Sequence, residues 1–123
     1  SGLVINFQKK SSQQFIKDVD DQHKAIDSLI GLYRNARNVA EEQQCLDVLQ
    51  YAVQSHFQFV EHFFDVKFPT EFKQRQGAIL AWLASRIQER KNGVVGQNEF
   101  ADELSRMFLL NVTTQGAQLE HLN

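Results

Sequence analysis

Residues Val19 to Ile26 read VDDQHKAI, and the placing of the histidine in that stretch decides how the chain folds. His23 stands four residues after Val19 and three before Ile26. Working outward, Phe15 precedes Val19 by four, and Ile30 and Tyr33 follow Ile26 at four and seven. Gaps of three and four put side chains on one face of an α-helix. The pattern predicts a helix from about Ser12 to Asn38, with His23 inside its apolar stripe and therefore pointing inward.

Three further stripes follow. Leu46, Leu49, Val53, Val60 and Phe63 predict a helix from about Glu41 to Val66, and His56 falls in the same row, three after Val53. Glu41 and Glu42 suit the helix start, where negative charge meets the positive end of the dipole. After Phe68-Pro69, the chain's one proline, a third helix runs from about Thr70 to Arg90 with Phe72, Ile79, Leu83 and Ile87 aligned. Arg90-Lys91-Asn92-Gly93 reads as its end, with cations in the last turn and a glycine beyond. A fourth helix runs from about Gln97 to Leu122, with Ala101, Leu104, Phe108, Val112, Leu119 and Leu122 in its stripe. Four such helices with short loops predict an all-α, antiparallel up-down-up-down four-helix bundle over residues 11–123. Residues 1–10, with the apolar run LVINF, are expected to form an N-terminal arm across it. The runner-up is a domain-swapped or homodimeric arrangement of the same helices.

Composition narrows the function classes. A net charge of −2 and few adjacent basic residues do not make a nucleic-acid footprint. No apolar run reaches the roughly 18 residues of a membrane span. The start lacks the charged-then-apolar pattern of a secretory signal, so the cytoplasm is the expected compartment. The one cysteine, Cys45, sits beside an apolar stripe and reads as a small buried residue. Ten phenylalanines against two tyrosines and one tryptophan predict a core of large rings without polar handles.

Within this frame the histidines carry a resemblance. Asp20-Asp21-Gln22-His23-Lys24 resembles the D-x-Q-H-K that opens the metal site of hemerythrins. His56-Phe57 followed by Glu61 is similar to their second-helix H-F-x-x-E-E, and Phe68-Pro69 to the aromatic-proline pair that ends that helix in bacterial members. The resemblance implies a four-helix bundle that holds two irons through histidines and two bridging carboxylates and binds oxygen reversibly.

Placed on that pattern, His23 and His56 match the first- and second-helix histidines, but the bridging glutamate position is Val60. Glu61, its neighbour, is rotated by about 100° around the helix. The third-helix histidine pair falls on Phe72 and Gln76, or on Gln74 and Ala78, and no histidine lies between His62 and His121. Aligning Phe108-Leu109 with the family's F-L puts Gly116 at the fourth-helix histidine and His121 at the final aspartate. An inward carboxylate left without metals would be a buried unpaired charge costing several kcal/mol, and valine at position 60 removes that cost. Neutral His23 and His56 can stay if each ring finds a partner, Gln22 and Gln76 being the candidates.

These readings favour no cofactor and no enzymatic activity. The expectation is a regulatory or protein-interaction module, with a protein partner or a fused signalling domain, as hemerythrin-like domains of bacteria have. Phe57, Phe59 and Trp82 are the expected interaction residues. The alternative is an O2, NO or redox sensor with one iron or zinc on His23 and His56, joined by His121 or Glu61. His62 lies off the stripe beside Glu61, with no serine or cysteine for it to activate.

Overall fold

The computed structural model describes the backbone of residues 2–119 and the side chains of residues 12–116. Among these it contains helices α1 (Gly2–Arg34), α2 (Val39–Phe64), α3 (Thr70–Lys91) and α4 (Gln97–Leu119), with a 3-10 turn at Asp65–Lys67 and no strand. The fold is all-α. α1 packs on α2 and α4, α2 on α3, and α3 more sparsely on α4. Cross-helix contacts give the directions. Tyr33 meets Glu42 and Phe15 meets Phe63, so α1 and α2 are antiparallel. Arg34 meets Asp102 and His23 meets Gln115 for α1 and α4, and Glu42 meets Arg90 and Glu61 meets Lys73 for α2 and α3. None of the helices is long and apolar enough to cross a membrane among the described residues.

α3 and α4 start where the stripes place them, α2 lies two residues earlier than expected at each end, and α1 differs at both ends. The helical backbone of α1 reaches back to Gly2, so the stretch expected as a separate arm continues α1. No proline interrupts that stretch, and its one glycine is the first helical residue. The side chains of residues 1–11 lie outside the described residues. α1 also stops at Arg34, short of Asn38, because Asn38 belongs to α2. Its backbone is extended and its side chain accepts from the Glu41 N–H at 2.9 Å, while the Glu41 carboxylate accepts from the Arg37 N–H at 2.8 Å. This N-x-x-E spacing is a capping device that satisfies donors the helix leaves free. At the other loop Gly93 adopts φ +75°, the left-handed conformation in which glycine carries no Cβ penalty, and closes α3 as expected.

Two apolar clusters lie along the bundle. The larger surrounds Ile26, Ile30, Tyr33, Leu46, Leu83 and Leu104, and takes in Trp82, Met107 and Phe108 at its edge. The smaller contains Phe15, Val19 and Val60, with Phe59, Phe63, Phe64 and Phe68 against them. Each fully buried large side chain contributes about 1.5–3 kcal/mol through the area it removes from water.

The loop end of the larger cluster is fastened by polar groups. Arg90 grips the Glu42 carboxylate with Nε at 2.9 Å and Nη2 at 3.2 Å, and its Nη1 donates to the Val95 carbonyl at 3.0 Å. The Tyr33 hydroxyl donates to the same carboxylate at 3.3 Å. Burial, with Glu42 alongside, pushes the Tyr33 hydroxyl up to about 12, so it stays a donor. Arg86 holds Glu103 with two bonds, at 2.7 and 2.6 Å, which joins α3 to α4. Gln97, the first residue of α4, donates to the carbonyls of Tyr33, Arg34 and Ala36 at 3.1, 3.4 and 2.8 Å and closes the end of α1.

Glu42 is 9% exposed, so Glu42→Gln strands a partly buried guanidinium. It is expected to cost about 1–3 kcal/mol in urea unfolding, whereas Tyr33→Phe, which removes one long hydrogen bond, costs less than about 1 kcal/mol. Equal losses from the two substitutions would mean that the ion pair contributes nothing beyond the phenol.

Candidate functional site

Between the two apolar clusters lies a polar layer built from three helices. α1 supplies Gln22 and His23, α2 supplies His56 and α4 supplies Gln115. His56 is 1% exposed and Gln115 5%, while His23 is half-buried. The rings of His23 and His56 stand edge to face with centroids 4.8 Å apart, and Phe108 packs edge-on to His23 at 5.9 Å. Gln115 Oε1 lies 2.6 Å from His23 Nε2 and 3.0 Å from His56 Nε2. The Gln22 side-chain amide, with its Oε1 2.6 Å from His56 Nδ1, holds the other side of that ring. No fully buried side-chain nitrogen or oxygen among the described residues lacks a partner, as a buried polar layer requires.

A neutral imidazole offers one N–H and one lone pair. Gln22 and Gln115 therefore play opposite parts toward a neutral His56, one accepting and one donating. Burial holds His56 neutral: desolvation, then the neighbouring His23 ring, depress it to about 4 against a weaker upward pull from Gln115. Burial also lowers His23, opposed by its bond to Gln115 and by the charge of Asp20.

The structure sorts the candidate residues. His23 and His56 are brought together as the stripes predict. Gln22 is one of their partners. Gln76, the other expected partner, is 9% exposed on α3 but makes no hydrogen bond to either ring among the described residues. Gln115 was not among the expected residues. It lies three after Val112 and four before Leu119, in a gap of the α4 stripe, and that spacing was the available signal. Gly116, the position aligned with a fourth-helix histidine, is exposed. On α3 the inward register is Phe72 and Gln76, since Gln74 and Ala78 are exposed. His62 is exposed, as its place off the stripe implies. His121 lies outside the described residues.

The interaction candidates need correcting. Phe57 is 3% exposed, not a surface residue, because it stands four after Val53 and widens the buried stripe of α2. Phe59 is half-buried and stacks on Phe15 at 5.5 Å. Trp82 is half-buried and meets Phe100 edge-on at 6.4 Å, held in the larger core. Among the described residues the exposed large apolar side chains are instead Leu32, Val39, Val48, Tyr51, Val66, Val94, Leu109 and Leu110.

The residues present do not fit a di-iron pair. Val60 is 3% exposed and packs with Phe15 and Val19, so the position that the resemblance sets against a bridging glutamate is apolar. Glu61 pairs with Lys73 at 3.2 Å on the α3 side. Among the described residues no three His, Cys, Asp or Glu side chains gather as a metal-holding group. Two divalent ions need anionic ligands between them to offset their charge, and this donor set offers none. No family model, curated protein or solved structure matches the chain at a significant level.

The depressed His56 makes stability depend on pH. The unfolded chain binds a proton near 6.5 that the folded chain refuses until about 4. The stabilisation is therefore complete above about pH 6.5 and is lost as pH falls toward about 4, amounting to about 3 kcal/mol; His23 adds in the same direction. Urea unfolding at pH 7, 6 and 5 is expected to show this fall, and His56→Gln to flatten it over that window. The carboxylates held down by cations, Glu103 by Arg86 and Asp21 by Lys17, act at lower pH. An unchanged slope in His56→Gln would remove His56 as the source.

Proposed function

We propose that this chain is a non-enzymatic regulatory or protein-interaction module, built on a hemerythrin-like bundle that has lost its di-iron site. The observation that supports the reading is the hydrogen bonding that covers both Nε2 atoms of the His23–His56 pair. The three ring nitrogens named above already have partners in Gln22 and Gln115, and the bridging position is filled by Val60 inside an apolar cluster. A scaffold of this kind keeps the shape of the bundle, and with it the exposed helix faces, without needing a cofactor to hold it. Such a module acts in the cytoplasm, through a protein partner, a fused signalling domain or a second copy of itself. A second reading has one specific point in its favour: the two Nε2 atoms address a common point, as the ligands of a single zinc or iron would. On that reading the chain is an O2, NO or redox sensor.

Elemental analysis separates the two. Protein grown with added iron and zinc and purified without a metal column is expected to hold less than about a tenth of an equivalent of any transition metal. One equivalent that disappears in His23→Ala/His56→Ala would replace the module by the single-metal sensor. Two equivalents would overturn both.

A further inference from the structure

The failure of the residues to fit a metal pair has a positive side. We infer that Gln115 stands where a metal would have to stand, and that its side-chain oxygen is the single acceptor that orients both histidines. The inference rests on the metal-free reading above and deepens it by naming the residue that closes the site.

Four observations carry it. His23 Nε2 and His56 Nε2 come from different helices yet lie 2.6 and 3.0 Å from the same atom, Gln115 Oε1. An amide oxygen has two lone pairs, so it can accept from two N–H groups at once. Gln115 is itself 5% exposed, and its fellow partner Gln22 reaches one ring only. A metal bound by the pair would need both Nε2 atoms bare and at about 2.0–2.1 Å, and so would need Gln115 to leave.

The proton arrangement follows. Each ring carries its proton on Nε2 and donates it to Gln115 Oε1. Nδ1 of His56 is then a lone pair, so the Gln22 amide, whose Oε1 lies 2.6 Å from it, has to turn over by 180° to donate an N–H. Gln115 is a positioning residue: it fixes the tautomer and rotation of two rings from a third helix, in the manner of an outer partner of a metal-bound histidine, but with no metal present. The cation's place is taken by a neutral dipole, which a buried site accepts at far lower desolvation cost.

Long-range 1H–15N spectra of histidine-labelled, metal-free protein at pH 7.5 test this directly. The expected result is a protonated Nε2 on both rings. Gln115→Leu is expected to shift the ring signals of His23 and His56 together, and Gln22→Leu those of His56 alone. Cobalt(II) supplies the second readout. Gln115→Ala, with both Nε2 atoms uncovered, is expected to bind it at least about tenfold tighter than the unaltered protein, since the metal no longer has to displace an amide from two hydrogen bonds. Protonated Nδ1 on both rings would overturn the assignment even if the Gln115 variants fail to fold. So would cobalt binding by the unaltered protein as tight as by Gln115→Ala. These results are read on metal-free protein, so they judge the role of Gln115 separately from the metal content that judges the module itself.

Discussion

Two imidazoles packed edge to face, His56 buried and His23 half-buried, must each find a hydrogen-bond partner, and this requirement orders the middle of the bundle. An unpaired buried ring nitrogen would cost on the order of 1–3 kcal/mol. The partners come from α1 and α4, while the rings come from α1 and α2. The layer therefore works only when three helices share one register. Apolar clusters above and below supply most of the driving force but discriminate register weakly, since large hydrophobic side chains repack at modest cost. The polar layer discriminates strongly, because a shift of α4 by one turn would set Val112 or Leu119 in the place of Gln115.

The far end of the bundle solves the same problem with charge. Glu42, Tyr33 and Arg90 tie α1, α2 and α3 together, and Arg86 with Glu103 ties α3 to α4. Arg90, Arg86 and Glu103 sit near the loops, partly open to water, where ion pairs avoid the full cost of desolvation. Glu42 is buried, and its carboxylate is held by Arg90 and Tyr33 together.

The fold was legible because its signals were redundant. The α3 and α4 starts followed from Pro69 and from the glycine after Arg90-Lys91, and the inward placing of His23 and His56 followed from spacing alone. The end of α1 was misjudged because Asn38 extends the polar side of one helix in sequence while its side chain caps the next. Phe57 was misjudged because an apolar stripe has width, and a residue beside the central row can be as buried as one within it. Gln115 was missed for a chemical reason. Glutamine is mostly a surface residue, so a glutamine in a stripe reads as an interruption until the ring nitrogens it must serve are in view. That position 60 supplies no metal ligand could be read straight from the sequence, since valine cannot ligate a metal in any register.

One detail at the loop end bears on how the chain is made. The last turn of α1 is completed by Gln97, 64 residues further along the chain than Tyr33, whose carbonyl it takes. During synthesis those carbonyls emerge long before their donor does. The Tyr33 carbonyl already accepts from the Ala36 N–H at 3.1 Å, while those of Arg34 and Ala36 face water until the start of α4 docks. The start of α4 thus acts as a stitch that closes the end of α1.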